Sequence, residues 1–363
     1  MVIIFTSNTK GGIVQFSFQM AQTFVDIGYE CKVMLPDNAA CGAYEEKLQK
    51  QMVIPYRKVK TFSNSDSDFL QTVERLRSYE PELVLYADSS IMSMRVLLKS
   101  GLEQRSIVTM HDVYPHLTRE RLKNRLVNLA ADWLAYQACK RCLGVLLMSE
   151  SCRSLYGKRY PKLKEKTSVM RLGAHVPVEG TMVPEEIQGV QDYYLFFGRI
   201  DQYKGISRLL KAYQQYEESK QNHHRLVIAG SGNFSEEEKQ LLDSMPEVIC
   251  INRFLDDEEI TPLYQNSRAV VLPYLEASQS GVLPIAYKYG KPVIVSDLQG
   301  LTENVWEHHT GLVANDVEAL EDALKQMDDD GVYREMQQEI GNYYREHYDW
   351  GRNLKRVLEQ YGV

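Results

Sequence analysis

Phe197-Gly198-Arg199-Ile200-Asp201-Gln202-Tyr203-Lys204-Gly205 lies between a hydrophobic run, Tyr193-Tyr194-Leu195-Phe196-Phe197, and the segment Ile206-Ser207-Arg208-Leu209-Leu210-Lys211-Ala212-Tyr213. The run reads as a buried strand, and the segment after it carries apolar residues at the i, i+3, i+4 spacing of a helix. Two cations therefore sit in a strand-to-helix loop, each beside a glycine, with the first amides of a helix behind them. Such a loop can hold an anion through charge and through backbone N–H groups that no helical carbonyl accepts. It can equally be a solvated turn, because short Gly/Lys motifs recur by chance. The surrounding chain has to decide.

Downstream, the strand–helix alternation continues. Strands are expected at Leu226–Ala229, Val248–Ile251, Ala269–Leu272, Val293–Ser296 and Gly311–Ala314, with helices near Ser235–Ser244, Glu258–Asn266 and up to Tyr289, and across most of Val317 to Gln360. Upstream, the same rhythm opens at Val2 to Thr6, followed by the glycine loop Asn8-Thr9-Lys10-Gly11-Gly12, a helix from about Ile13 to Ile27 and a strand from Glu30 to Leu35. It goes on through a helix at about Asp68–Ser78, strands Leu83–Tyr86, Ser106–Met110 and Val145–Met148, and a last strand from Thr167 to Gly173. Repeated βαβ units imply parallel sheets covered by helices. The stretch 174–189 mixes prolines, glycines and acids without periodicity and reads as a linker. The expectation is an α/β protein of two doubly wound, Rossmann-like domains facing across a cleft, at 1–175 and 190–340, with 341–363 a C-terminal helix returning to the first domain. Gly11-Gly12 lacks the spacing of a dinucleotide fingerprint, so no nicotinamide site is expected.

Composition narrows the function classes. A chain of 363 residues with 44% hydrophobic and 25% charged residues is ordinary for a globular protein large enough for two cores. The net charge of -7 argues against general nucleic-acid binding. The six cysteines (31, 41, 139, 142, 152 and 250) are irregularly spaced, and the chain opens on a strand without a charged-then-apolar leader. Reduced thiols in a cytoplasmic protein are therefore expected. Cys139-Lys-Arg-Cys142 has redox spacing but falls late in a helical pattern, without a second pair for zinc.

Two further segments carry chemistry. His111 follows a strand, where ligands of open α/β sheets collect, although a histidine there can also be a buried, bonded structural residue. Between 117 and 141 stand Arg119, Arg121, Lys123, Arg125, Lys140 and Arg141 against Glu120 and Asp132, and Leu122, Leu126, Leu129, Trp133 and Tyr136 form an apolar stripe at helical spacing. Such a helix either packs its stripe into the core or rests, over 117–136, on anionic lipid headgroups at the inner face of the cytoplasmic membrane.

Taken together, Gly198-Arg199…Lys204-Gly205…Leu209-Leu210-Lys211-Ala212, then Gly230-Ser231-Gly232, Pro273-Tyr274…Glu276…Gly281, Gly290-Lys291-Pro292-Val293 and Gly300…Glu303 resemble the retaining GT-B glycosyltransferases of family 4 (glycosyl transferases group 1). The resemblance covers the C-terminal half and extends more weakly to the N-terminal half through Gly11-Gly12 and His111-Asp112. It implies a nucleoside-diphosphate-sugar donor bound mainly by the C-terminal domain and a glycan or polyprenyl-lipid-linked acceptor bound mainly by the N-terminal one, in surface-polysaccharide biosynthesis. Arg199 and Lys204 would hold the donor diphosphate beside Gly198 and Gly230. Gly11 and Gly12 would offer amides near the phosphate or the acceptor, His111 would face the donor sugar and Glu276 would bond its hydroxyls. Ser280, Gly281 and Val282 would cap the distal phosphate, and Arg253 and Phe254 would lie beside the nucleobase. No metal and no cofactor is expected where Arg and Lys stabilise the departing diphosphate and the sugar nucleotide is a co-substrate. Retention would let a donor phosphate oxygen take the acceptor proton, so no protein nucleophile is demanded.

The chain departs from the family at one point. The family has two glutamates about seven residues apart in this segment. Counted back from Gly290-Lys291-Pro292, those positions fall on Ala277, next to Glu276, and on Ile285. Two other functions stay open: a sugar-nucleotide epimerase, which shares the two-domain architecture, and a non-catalytic scaffold or adaptor of a polysaccharide-assembly complex, which the missing second glutamate would suit.

Overall fold

The computed structural model describes residues 1–39, 52–59, 63–113, 125–174, 179–219, 224–277 and 279–363. They form two compact units. The first comprises Met1–Arg171 together with Trp350–Val363, and the second Leu172–Asp349.

The first unit holds a seven-stranded parallel sheet. Its strands are β1 (Val2–Phe5), β2 (Cys31–Pro36), β3 (Val53–Tyr56), β4 (Leu83–Tyr86), β5 (Ser106–Met110), β6 (Gly144–Leu147) and β7 (Thr167–Val169), in spatial order β3-β2-β1-β4-β5-β6-β7. Every residue of β1, β4, β5 and β6 is buried, as strands covered by helices on both faces must be. The strand β3 was not expected from the sequence. Its Pro55, paired with Leu35, cannot donate to a ladder, which suits the sheet edge where β3 lies. Helices α1 (Gly12–Asp26), α2 (Ser67–Ser78), α3 (Ile91–Ser100), α4 (Arg125–Arg141) and α5 (Glu150–Arg159) cover the sheet. Asp66 caps α2 by accepting from the amides of Asp68 and Phe69, and Ser90 caps α3 through the amide of Ser93.

The second unit repeats the design with six parallel strands, β8 (Tyr193–Phe197), β9 (Leu226–Gly230), β10 (Val248–Asn252), β11 (Ser267–Leu272), β12 (Val293–Val295) and β13 (Gly311–Val313), ordered β10-β9-β8-β11-β12-β13. Its helices are α6 (Ile206–Ser219), α7 (Glu236–Ser244), α8 (Asp257–Gln265), α9 (Val282–Lys288), α10 (Gln299–Thr302), α11 (Val317–Met327) and α12 (Asp330–His347). Reciprocal capping boxes open α7 and α8, Ser235 with Glu238 and Asp256 with Glu259. The last helix, α13 (Trp350–Tyr361), belongs to the first unit.

The unit boundaries fall at Arg171/Leu172 and Asp349/Trp350, so the stretch 174–189, read as a linker, and residues 341–349, read as part of the C-terminal helix, both lie in the second unit. The segment after Leu172 joins the second unit because Ile187 is fully buried there and because Arg253 pairs with Glu186, and Lys288 with Glu179. α12 stays in the second unit because Met336 and Ile340 enter its core, as does Tyr348 just beyond. In the first unit the Tyr361 hydroxyl donates to the Lys166 carbonyl (2.8 Å) and lies 3.2 Å from the Val145 carbonyl and 2.9 Å from Ser168 Oγ, anchoring α13 beside β7.

In each sheet the strand order reverses about a central strand, at β1/β4 and at β8/β11. The two connections leave to opposite sides there, which opens a crevice at the carboxyl ends of the strands. Thr6–Asn8 and Ala87–Ser90 stand at the first crevice, and Gly198–Lys204 and Pro273–Glu276 at the second.

Candidate functional site

In the second unit, the loop that follows β8 is laced to the loop that follows β11. The Leu275 amide donates to the Tyr203 carbonyl at 2.8 Å. Gly205 adopts φ +68°, and a Cβ there would lie 1.9 Å from the Pro273 carbonyl oxygen, so a side chain would separate the two loops. Lys204 consequently lies over the Tyr274 ring, with Nζ 3.7 Å from its centroid. Burial, and secondarily the positive charge of Arg199, lower the Lys204 ammonium to about 8. Neither Arg199, which is exposed, nor Lys204 forms an ion pair with a carboxylate among the described residues. Two neighbouring cations without a carboxylate partner, one of them partly desolvated, constitute a place for an anion.

Arg208, on α6, supports this arrangement from below. Its guanidinium donates to the carbonyls of Pro273 (2.6 Å), Tyr274 (3.0 Å) and Asn315 (2.7 Å) and to Ser296 Oγ (2.5 Å). It thereby ties together the ends of β11, β12 and β13. Glu276 is exposed in the loop it holds. Ser280 accepts from the Val282 amide at 3.3 Å, so its hydroxyl already serves the start of α9, and Gly281 precedes that helix in an ordinary αR conformation.

Two expected roles meet a different environment. Gly230, at φ +147°, admits no side chain because a Cβ would fall 1.8 Å from the Gly198 carbonyl oxygen, so close packing of β9 against β8 accounts for it. The Arg253 guanidinium is fully engaged, to Glu186 at 2.9 and 3.0 Å and to Glu259 at 2.8 and 2.6 Å, and these hydrogen bonds raise it above the usual arginine range. Phe254 beside it is 85% exposed. The position expected for a second glutamate, Ile285, packs into the core of the second unit, where a carboxylate would be buried without a partner.

In the first unit, Gly11 (φ +84°) stands at the N-terminus of α1 with no capping side chain, and the space a Cβ would take at Gly11 or Gly12 is open. His111 Nε2 lies 3.0 Å from the Ala87 carbonyl, which can only accept. The ring proton is therefore on Nε2 and Nδ1 is the bare acceptor. Phe16 of α1 meets the imidazole edge-on at 4.9 Å, and burial lowers the His111 pKa, so the ring is neutral at pH 7. The fold thus fixes His111 as a bonded residue with one nitrogen left for other use.

His111 lines a half-open pocket of about 430 Å³ whose described lining residues all belong to the first unit. Its wall also includes Asn8, Ile13, Asp88, Ser90, Asp112, Asp132, Arg159 and Tyr160. Asp88, only 4% exposed, accepts from Thr6 Oγ1 (2.9 Å), Ser93 Oγ (2.7 Å) and the amides of Ser7 and Ser90 (both 3.0 Å), and so joins the ends of β1 and β4. None of Asp88, Asp132 and Arg159 was expected from the sequence. Their periodicity marks them as helix or loop residues, and only the sheet order brings them to His111.

Of the two readings of helix α4, packing of its whole apolar stripe into the core is not what the structure has. Ala135, Ala138 and Cys139 are its buried face, whereas Val127, Leu129 and Trp133 are 43%, 58% and 61% exposed. Residues 117–124, including Leu122, and the side chain of Leu126 lie outside the described residues. Cys139 and Cys142 are free and buried, and burial raises the Cys139 thiol to about 11, as befits inert core residues. Two stretches have Asp-x-Asp spacing. Asp66-Ser67-Asp68 caps α2, and Asp328-Asp329-Asp330 engages Tyr194 and Arg268. No group of three His, Cys, Asp or Glu among the described residues is arranged to hold a metal ion. Among the described residues, no helix is long and apolar enough to cross a membrane.

Residues 10–175 match Glycosyltransferase Family 4 and residues 191–330 match Glycosyl transferases group 1. The chain is 28% identical over 176 residues to D-inositol 3-phosphate glycosyltransferase of Corynebacterium urealyticum (46% of this chain, 42% of that protein). It is 26% identical over 176 residues to O-antigen chain mannosyltransferase B of Escherichia coli (47% and 46%). The chain thus aligns with less than half the length of these curated relatives. Among solved structures it is similar to HepE of Anabaena in complex with UDP, with a TM-score of 0.74 at 17% identity over 99% of this chain and 98% of that one. The chain belongs to the family-4 glycosyltransferases of the GT-B fold.

Proposed function

We propose that the protein is a retaining glycosyltransferase that moves a sugar from a nucleoside-diphosphate-sugar to a hydroxyl of a glycan or lipid-linked acceptor in surface-polysaccharide biosynthesis, without a metal. The observation that carries this reading is the pair Arg199 and Lys204, two cations without a carboxylate partner among the described residues, at the switch point of the second unit's sheet. A departing nucleoside diphosphate gains negative charge, and fixed cations in a partly desolvated loop stabilise that charge more than water does. Family membership supports the reaction class, and the UDP and UDP-glucose complexes of the Anabaena structure support a nucleotide-sugar donor. The O-antigen mannosyltransferase supports a polysaccharide setting.

In this reading Glu276 meets the sugar hydroxyls from its exposed loop. The amides of Gly11 and Gly12 and Nδ1 of His111 serve the transferred sugar or the acceptor hydroxyl. Phe254 is exposed and can stack on a base, whereas Arg253 acts by holding the segment around Glu186. The exposed face of α4 would let the protein rest on an anionic membrane carrying a lipid-linked acceptor. The test is incubation with a panel of UDP-, GDP- and ADP-sugars, with release of nucleoside diphosphate as the readout. Slow release from one donor class, lost in Arg199→Ala, is expected. Donor epimerisation without release would instead show an epimerase, and absence of both binding and release would show a non-catalytic scaffold.

A further inference from the structure

The chain returns from the second unit to the first between Asp349 and Trp350, two residues past Tyr348, which is buried in the second unit's core. Trp350 opens α13, and α13 packs against α1. There the indole meets the Phe16 ring, with centroids 6.0 Å apart and planes tilted by 51°. Phe16 stands about one turn into α1, is buried, and makes the perpendicular contact with His111, at 4.9 Å and 87°. A helix that has just left the second unit is thus joined, through one ring, to the imidazole after β5.

That imidazole needs two constraints. The end of β5 carries its Cβ, and the Ala87 carbonyl holds its Nε2 at 3.0 Å. Those two points leave the ring free to turn about the line between them, a motion close to χ2, whose torsional wells are broad for an imidazole. The turn would sweep Nδ1, the nitrogen left for other use. A perpendicular aromatic neighbour opposes it, because turning loses the edge-to-face contact or forces atoms to overlap. Phe16 is only as fixed as its own neighbours, and the half-buried indole of Trp350 is one of them. We propose that Trp350 is a positioning residue for His111: through Phe16 it fixes the plane of the imidazole and with it the direction of Nδ1. The use of Nδ1 in sugar transfer rests on the proposed transferase function, whereas the fixing of the ring does not.

The test is NMR of the full-length protein carrying isotope-labelled histidine, with the His111 signals picked out from the eight histidines by their loss in His111→Gln. Wild type is expected to show one neutral tautomer, protonated on Nε2, titrating below the ordinary 6.5. Burial lowers that titration, the carboxylates of Asp112 and Asp88 oppose it, and Asp132 of α4 and Arg159 of α5 line the same pocket. Trp350→Ala alters none of these charges. A second tautomer, or a titration moved up toward 6.5, is therefore expected in that variant and reports a ring that turns and meets water. Trp350→Leu, which keeps apolar bulk without a ring, carries the same expectation should the alanine variant not fold. Trp350→Phe, which keeps a ring, is expected to restore the wild-type signature. Leu358→Ala, a buried position about two turns further along α13, is expected to lower the melting temperature and leave His111 unchanged.

Wild-type His111 signals in a folded Trp350→Ala or Trp350→Leu protein would overturn the proposal. So would the same displacement in Leu358→Ala, which would make Trp350 a general support of α13. Turnover of the active sugar nucleotide, measured in parallel, keeps the transferase reading separate. In that reading a displaced Nδ1 lowers kcat about tenfold or more with KM for the donor nearly unchanged. Ring displacement without that loss upholds the positioning contact and removes His111 from the transfer, and absence of release from every donor in wild type defeats the transferase reading alone.

Discussion

Burial makes the charged form of Lys204 costly. Its ammonium is lowered to about 8 by burial and by Arg199, from an ordinary value of 10.5. Between those two pH values the unfolded chain binds the proton that the folded chain has lost, so stability rises with pH across that window and the charged lysine is a liability below it. Lys204→Met is therefore expected to raise the melting temperature at pH 7 while weakening nucleoside diphosphate binding. An unchanged or lower melting temperature would contradict this account of its burial. The same titration acts on binding. An anion selects the charged lysine, so affinity for a nucleoside diphosphate is expected to fall up to about tenfold per pH unit above pH 8, and calorimetry from pH 7 to 10 measures it. The proposal of an anion site at Arg199 and Lys204 could be made from the sequence because both stand in one short loop. The aromatic face under Lys204 was not, because Tyr274 is 70 residues away and meets it only through the β8/β11 switch.

At the scale of elements, Arg208 matters through what it ties. Its bonds to the ends of β11, β12 and β13 position the loop that carries Tyr274 and Glu276. Truncation to methionine leaves the carbonyls of the buried residues Pro273 and Tyr274 without this donor, each costing about 1–3 kcal/mol. Arg208→Met is expected to weaken donor binding and lower the melting temperature, with partial rescue by Arg208→Lys, which keeps a donor. Donor affinity and melting temperature both unchanged would remove Arg208 from the site's support. The helix α4 makes the opposite point. Its 3.6-residue periodicity was plain in the sequence, yet periodicity identifies a stripe without saying whether protein covers it. Val127, Leu129 and Trp133 are exposed, and small residues form the buried face instead. Co-sedimentation with vesicles containing anionic lipid is expected to be reduced severalfold by Trp133→Asp together with Leu129→Asp, with the melting temperature unchanged. Equal binding by the double variant would exclude this face as the membrane contact.

At the scale of the molecule, alternation of strand and helix was enough to read two doubly wound sheets, because fully buried strands of β-branched and aromatic residues between amphipathic helices admit few other arrangements. The edge strand β3 escaped because Pro55 breaks its pattern. The stretch 174–189 joins the second unit through single anchors, Ile187 and the Arg253–Glu186 pair, and residues 341–349 stay there with Ile340 and Tyr348 in its core, none of which the absence of periodicity could announce. The return of α13 to the first unit depends on Gly144, where a Cβ would lie 2.1 Å from Tyr361 Cζ. Gly144→Ala is expected to destabilise by about 1–3 kcal/mol, and less than additively with Tyr361→Ala, since both act on one contact. Additive losses in denaturant unfolding would mean that Tyr361 is not what the glycine accommodates. The central claim, that Arg199 and Lys204 hold the diphosphate of a sugar nucleotide, is tested most directly by calorimetric titration of the nucleoside diphosphate of the active donor class into wild type, Arg199→Ala and Lys204→Ala at pH 7. Loss of a charged partner from a desolvated anion contact costs about 2–5 kcal/mol, so each variant is expected to bind at least about thirtyfold more weakly with its fold intact. Wild-type affinity in both variants would contradict the account.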